Sequence, residues 1–147
     1  MKLLKLNALD HDDLNVLSAH LQDAVIKIGD MAYLENEQQF VMVLNRFDWD
    51  DALTSESRKK TYTRHRAGVQ FGRVLSVRQS KLAQGDKEAV VDLLAIEFTP
   101  VNAPSGIITL VFAGGGAVKL EVECIEARLS DMEMAWETKN RPDHEME

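Results

Sequence analysis

The sequence IITLVFAGGGAVKLEV, residues 107–122, indicates a β-hairpin. Its first half is apolar and β-branched, and its second half alternates apolar with charged side chains, as strands with one solvated face do. Between them, Gly114-Gly115-Gly116 is interpreted as a tight turn. A phosphate-binding loop would need a helix to follow, and no Lys-Ser or Lys-Thr pair stands after the glycines. The hairpin therefore predicts an antiparallel sheet.

Towards the C-terminus, the second strand of this hairpin is predicted to continue from Ala117 to Leu129 with a change of phase. The apolar side chains shift by one residue after Cys124. Because side chains alternate strictly along a strand, the shift predicts a bulge or a sheared corner, which is how antiparallel sheets curl. The capping-box pattern Ser130-Asp131-Met132-Glu133 then predicts a short C-terminal helix through Trp136.

Towards the N-terminus, apolar and alternating patterns predict further strands. They lie at about 2–6, 25–34 (broken at Gly29-Asp30), 40–47, 69–77 and 89–98. Residues 40–44 are apolar on both faces and so predict a central, covered strand. Before these strands, leucines at helical spacing follow Asp10, a residue type that caps helices. They predict an amphipathic helix from Asp12 to about Asp23.

These elements predict an α+β fold. We expect a predominantly antiparallel β-sandwich or partly open barrel of six to seven strands, one N-terminal amphipathic helix and a short C-terminal helix. Residues 1–137 are predicted to form a single domain. The polar stretch at about 50–68 has almost no core-forming residues and predicts a mobile loop, and residues 138–147 predict a frayed polar tail.

Composition bounds the class of protein. The chain has 147 residues, 45% of them hydrophobic and 28% charged, with a net charge of −7 and one cysteine, Cys124. No apolar run approaches the roughly 20 residues of a membrane-spanning helix, and the acidic balance disfavours binding to an anionic membrane. A lone cysteine excludes an intrachain disulfide, so a cytoplasmic location is predicted. The oligomeric state stays open.

The charge is unevenly distributed along the sequence. Between Ser57 and Gly85 there is no Asp or Glu, and this acid-free segment holds eight of the 17 basic residues. They are Arg58, Lys59, Lys60, Arg64, Arg66, Arg73, Arg78 and Lys81. Such a basic loop and strand predict a surface for RNA, a phosphorylated ligand or an acidic partner; the alternative is a solvated loop whose cations pair with acidic groups of the same chain.

A second candidate surface lies where the central strand enters the predicted loop. In Asn45-Arg46-Phe47-Asp48-Trp49, period-2 alternation places Arg46 and Asp48 on one face and the aromatic residues on the other. An Arg46–Asp48 pair beside Trp49 is typical of a recognition patch. The alternative is an ion pair at a strand end and a tryptophan that completes the core. The candidate binding residues are thus Asn45, Arg46, Asp48, Trp49, Arg58, Lys60, Arg64 and Arg66.

Sequence patterns for catalysis or metal binding are weak. His11, His20, His65 and His144 have no zinc-like spacing, and the Asp48, Asp50 and Asp51 group lacks the other ligands of a calcium loop. Cys124 is expected to be a buried, inert thiol. We therefore expect no catalytic residue, no metal and no cofactor. The alternative is a small enzyme with a pocket near Arg46, Asp48 and Trp49.

Three stretches together resemble a known family. They are Leu17-Ser18-Ala19-His20-Leu21-Gln22-Asp23-Ala24, Leu44-Asn45-Arg46-Phe47-Asp48-Trp49, and Phe112 to Gly116 with Leu120 to Ala127. The chain resembles, nearly end to end, the uncharacterised alphaproteobacterial domain-of-unknown-function family 2948. This resemblance implies no activity, cofactor or site residue.

The sequence thus favours a non-enzymatic cytoplasmic binding or adaptor module with a protein partner. Binding of RNA or an acidic ligand through the basic residues 58–81 is the first alternative, and the small enzyme is the second.

Overall fold

A computed structural model describes residues 3–48, 62–82 and 85–138, with only the backbone described at residues 62, 63 and 133–138. Within these residues the chain forms one α-helix, α1 (His11–His20), and ten strands. The strands are β1 (Lys5–Ala8), β2 (Ala24–Lys27), β3 (Met31–Leu34), β4 (Gln39–Phe47), β5 (Tyr62–Phe71), β6 (Val74–Ser80), β7 (Val90–Pro100), β8 (Gly106–Phe112), β9 (Ala117–Val122) and β10 (Ala127–Thr138).

The strands form a single antiparallel sheet with the order β1-β10-β5-β4-β2-β7-β8-β9-β6, and β3 pairs with β4 beside this path. The path has two ends, β1 and β6, so the described sheet is open. The antiparallel α+β architecture is confirmed, whereas the two-sheet sandwich and the six to seven strands are corrected. One face of the sheet carries the core, which α1 closes with the buried Leu14 and Leu17 against β1 and β7.

The additional strands arise where segments predicted as continuous are broken. The segment 69–77 divides into β5 and β6 at Gly72 and Arg73; Arg73 has φ +59°, a left-handed conformation that no strand can continue. The segment 117–129 divides into β9 and β10. The phase change at Cys124 is therefore a connection from one part of the sheet to another, and not a bulge within one strand.

The predicted C-terminal helix is wrong, because residues 127–138 form β10. This strand lies between β1 and β5 and pairs with both. Both β1 and β5 pair with β10 at residues 127–130, and β5 also pairs with it at residues 135–138; this strand pairing outweighs the local capping-box signal.

The predicted loop at about 50–68 is corrected in part. Residues 62–68 belong to β5, which pairs with β4 from Phe40–Phe71 to Phe47–Arg64. The polar Thr and Arg side chains of this stretch hid the strand, since they interrupt its apolar pattern. Residues 49–61 and the expected tail at 139–147 lie outside the described residues.

Other predictions are confirmed. Asp10 is the N-cap of α1, which ends at His20, three residues before the predicted end. The 107–122 hairpin is β8 and β9, with a 3₁₀ turn at Ala113–Gly115 in which Gly114 and Gly115 have φ of 88° and 94°. Across the described part of the chain, no helix combines the length and the apolar character needed to cross a membrane.

Candidate functional site

A buried ion pair joins β4 to β10 across the intervening β5. The Arg46 Nε donates to Asp131 Oδ1 at 2.8 Å, and Nη2 donates to Asp131 Oδ2 at 2.7 Å. Arg46 is 3% exposed and Asp131 is 5% exposed. This fork-to-carboxylate arrangement is the strongest geometry that an Arg–Asp pair adopts.

Asp131 also holds the N-terminal segment. The Leu4 amide donates to Asp131 Oδ2 at 2.9 Å, and the Asp131 amide donates to the Leu4 carbonyl at 2.9 Å. Burial by itself raises the pKa of the Asp131 carboxyl, but the hydrogen bonds from Arg46 and Leu4 and the charges of Arg46 and His65 outweigh it. The resulting pKa lies below the ordinary value of an aspartate.

His65 extends this group of polar side chains towards the end of β4. Its Nε2 lies 2.9 Å from Asp48 Oδ2, and its Nδ1 lies 4.0 Å from Asp131 Oδ2. His65 is 1% exposed, and Nδ1 has no hydrogen-bond partner among the described residues. We call Arg46, Asp48, His65 and Asp131 the polar network.

The polar network is enclosed. Only the Asp48 side chain, 21% exposed, reaches solvent to a notable extent. Arg46 and Asp131 are both buried and bound to each other, so their charged groups are not exposed to a ligand in solution. In the described ranges, no group of three or more His, Cys, Asp or Glu side chains is arranged to hold a metal ion.

The predicted Arg46–Asp48 pair is corrected. Both side chains lie on the same strand face, as alternation requires, but Arg46 binds Asp131 and Asp48 lies against His65. The sheet instead brings Asp131, whose partner on β5 is Ala67, within hydrogen-bond distance of Arg46 across β5. Neither of the two clefts described below is lined by Arg46 or Asp48.

The remaining described candidates, Asn45, Arg64 and Arg66, lie together on the neighbouring strands β4 and β5. Arg66 donates to Asn45 Oδ1 at 3.3 Å and lies 3.9 Å from Asp30, and the Arg64 guanidinium stacks 5.4 Å from the Phe47 ring centroid. These contacts agree with the alternative in which basic residues pair within the chain. Trp49, Arg58 and Lys60 lie outside the described residues.

His65 and Asp131 are the members of the polar network that sequence reasoning missed. Counting back by twos from Phe71 through Val69 and Ala67 reaches His65, so alternation carries a usable signal for it. The same count from Ala127 through Leu129 reaches Asp131, but the capping-box pattern concealed it.

The larger of the two clefts, about 360 Å³, lies elsewhere, on the outer side of the sheet near its β6 end. Four parts of the chain line it: β6, β8, β9 and the turn of the β7–β8 hairpin. Leu75 and Val101 supply apolar surface, and Arg78 and Lys119 supply positive charge. We call this feature the β6 cleft. A second cleft of about 330 Å³ is lined by the amides of Asn7, Gln39 and Gln70 and by Arg128.

Two features of the β6 cleft are unusual for a protein surface that contacts only solvent. Leu75 is 42% exposed and Val101 is 54% exposed. Arg78 lies directly opposite Lys119 in the β6–β9 register, and neither side chain has an ion pair with any described residue. Like charges at directly opposed positions destabilise a sheet.

Comparison with known proteins adds the family and nothing about activity. No curated protein and no solved structure shows a significant match to the chain. The family described as "Protein of unknown function (DUF2948)" matches residues 4–144. Because this match spans nearly the whole chain, the protein belongs to the DUF2948 family.

Proposed function

We propose that this protein is a non-enzymatic binding module whose protein partner occupies the β6 cleft. The observation that carries the proposal is the combination of exposed Leu75 and Val101 with two cations, Arg78 and Lys119, that form no ion pair with a described residue. Exposed apolar side chains beside unneutralised charge are typical of a surface that is completed by another protein.

The polar network indirectly supports the β6 cleft as the binding site. Its charged groups pair with one another inside the protein, so they stabilise the sheet without presenting chemistry to a substrate. Arg66 and Arg73 likewise have internal partners, Arg73 lying 3.7 Å from Glu123 and 3.4 Å from Glu126. Among the basic residues of the acid-free segment, Arg78 therefore supports a ligand site better than these two.

We also propose a cytoplasmic location for this module. Its single cysteine, Cys124, is a free thiol and is half-buried in the connection between β9 and β10. Proteins of oxidising compartments generally use cysteines in disulfides.

Site-specific photo-crosslinking tests the proposal. Benzoyl-phenylalanine replaces Ser76, which lines the β6 cleft, and the protein is irradiated in cells that produce it naturally. We expect a discrete protein adduct that disappears in the Leu75→Asp/Val101→Asp variant, because a buried carboxylate opposes apolar contact.

Leu94→Asp is the matched control, since Leu94 is 43% exposed but lies on β7 outside the cleft. The adduct should persist in this variant. An adduct that survives both sets of substitutions, or one that nuclease removes, contradicts a protein partner in the β6 cleft. The nuclease-sensitive outcome would assign the surface to RNA.

A further inference from the structure

We infer that the partner segment is an extended acidic peptide that adds a strand to the free edge of β6, the edge away from β9, and whose side chains on one face reach over β6 into the β6 cleft. This inference rests on the proposed function and specifies the chemistry of its ligand. Three features support it: the free backbone edge of β6, the charges beside that edge, and the poor fit of a second copy of the chain.

The edge of β6 is available for strand pairing. β6 lies at one end of the sheet path and pairs only with β9 among the described strands. At its start, the Val74 amide donates to the Gln38 carbonyl at 2.8 Å, and Tyr33 Oη donates to the Val74 carbonyl at 2.9 Å. Beyond Val74, residues 75–80 have no strand on this side within the described ranges, and an edge strand is a template for an incoming extended segment.

Charge complementarity selects an acidic segment. β6 contains no acidic residue, and Arg78 and Lys119 lie opposite each other without a carboxylate partner in the part of the chain that the structure describes. A ligand carboxylate placed between them would accept charge-assisted hydrogen bonds from both cations and remove their mutual repulsion.

The side chains that line the cleft differ in their chemistry, and this restricts which ligand side chains fit. Leu75 and Val101 contribute its apolar surface, and Glu121, which accepts a hydrogen bond from Ser76 Oγ at 2.9 Å, disfavours a second ligand carboxylate near Ser76. The matching peptide therefore presents an aliphatic and an acidic side chain on the same face. In an extended chain, side chains share a face at every second position.

A second copy of this chain is a poorer occupant. Antiparallel pairing of two β6 edges would bring together two strands that each carry Arg78 and no acid. The net charge of −7 on each chain adds a general repulsion between copies. Edge strands also use cations to prevent self-association, and this agrees with a heterologous ligand.

Fluorescence anisotropy with defined peptides tests the inference. The probe is a labelled peptide of about ten residues with the repeat Thr-Val-Thr-Glu, in which Val and Glu share one face. We expect Arg78→Glu and Lys119→Glu each to weaken binding by about tenfold or more, while Lys5→Glu on the opposite edge strand β1 leaves it unchanged. The Arg78→Glu variant should in turn prefer the matching Thr-Val-Thr-Lys peptide.

Strand addition has its own readout. A Thr-Val-Thr-Glu peptide that is N-methylated at alternate residues, on the edge that would face β6, cannot donate its backbone amides to that strand, so its binding should be lost. Equal binding of the methylated and unmethylated peptides overturns strand addition. Concentration-dependent dimerisation that Arg78→Glu abolishes would overturn the heterologous ligand and assign β6 to a self-interface.

The two proposals fail in different ways. If the Ser76 crosslink depends on the cleft but neither peptide binds, the acidic peptide is wrong and the binding module stands. If the acidic peptide does not bind and inorganic polyphosphate binds with the same dependence on Arg78, the surface recognises phosphate and the inference is overturned. Loss of cleft dependence in the crosslink contradicts both proposals.

Discussion

At the residue scale, the Asp131 carboxylate joins three strands. It accepts two hydrogen bonds from Arg46 on β4 and one from the Leu4 amide just before β1, while its own backbone belongs to β10. Arg46 is almost wholly buried, and among the described residues Asp131 is the carboxylate that pairs with its charge. The pair therefore controls how the N-terminal strand and β10 assemble onto β4 and β5.

Asp131→Asn should destabilise the protein strongly. The substitution preserves size but leaves the Arg46 charge buried without a counter-ion, which costs about 3–5 kcal/mol in the free energy of unfolding. Urea denaturation measures this. Asp92→Asn, at an exposed position on β7, is the matched control and should stay within about 0.5 kcal/mol of the wild type. Similar losses in both variants would contradict the role of the pair.

The same carboxylate should make stability depend on pH in a defined window. The pKa of Asp131 is lower in the folded protein than in the unfolded chain, so its contribution is fully present above the unfolded pKa of about 3.9. The contribution is lost as the pH falls through the lower, folded pKa. Denaturation curves of the wild type and of Asp131→Asn should therefore converge below about pH 4. A difference that is constant down to pH 2 would contradict the lowered pKa.

At the scale of elements, α1 begins at a reciprocal cap. Asp10 Oδ1 accepts from the Asp13 amide at 2.8 Å, and Asp13 Oδ2 accepts from the Leu9 amide at 3.0 Å. Two amides that the helix cannot satisfy internally are thus bonded. α1 matters for the core because Leu14 and Leu17 lie one and two turns beyond this cap and are fully buried.

Asp10→Ala should destabilise the protein by about 1 kcal/mol, because the Asp13 amide loses its acceptor. Asn15→Ala, at an exposed position inside the same helix, should have no effect or a slightly stabilising one, since alanine has the higher helix propensity. Both changes are measured as shifts of the urea midpoint. Destabilisation by Asn15→Ala equal to that of Asp10→Ala would contradict the capping argument.

At the scale of the whole molecule, one sheet and one core connect both ends of the strand order. Leu44 on β4 and Leu110 on β8 are each almost fully buried and belong to the same continuous cluster of apolar side chains. A shared core couples the strands, so neither part of the sheet has an independent interior.

Unfolding should therefore be a single cooperative transition. Leu44→Ala and Leu110→Ala should each lower the free energy of unfolding by about 2–5 kcal/mol and should move the same transition. Calorimetry and far-ultraviolet circular dichroism should report coincident midpoints. A variant that unfolds in two steps would indicate that β1, β10, β5 and β4 form a unit separate from β7, β8, β9 and β6.

The features that could be predicted from the sequence are those that depend on interactions between residues close together in the chain. The cap at Asp10, the β8–β9 hairpin and the alternation of Val118, Leu120 and Val122 depend on neighbours within a few residues. Local spacing encodes such contacts directly, because a turn and two strands, or a cap and one helical turn, form within a single short segment.

The candidate sites depend instead on residues that only the sheet brings together. The alternation of side chains identified Arg46 as a candidate, but its partner Asp131 is 85 positions away in the sequence. The β6 cleft likewise combines residues of β6, β8, β9 and the β7–β8 turn. Nothing in the local sequence pattern indicates which of the 24 acidic residues is the distant partner of Arg46.

The amino-acid sequence by itself determined the antiparallel class, the helix α1 and its cap, the glycine turn and the family. The tertiary structure alone decided that residues 127–138 form a strand, that Arg46 binds Asp131, and that Arg78 stands beside Lys119. The physical reason is that a strand's backbone is satisfied by its neighbours. The segment 127–138, which contains a helix signal at 130–133, therefore becomes a strand because β1 and β5 pair with residues 127–130 and β5 also pairs with residues 135–138.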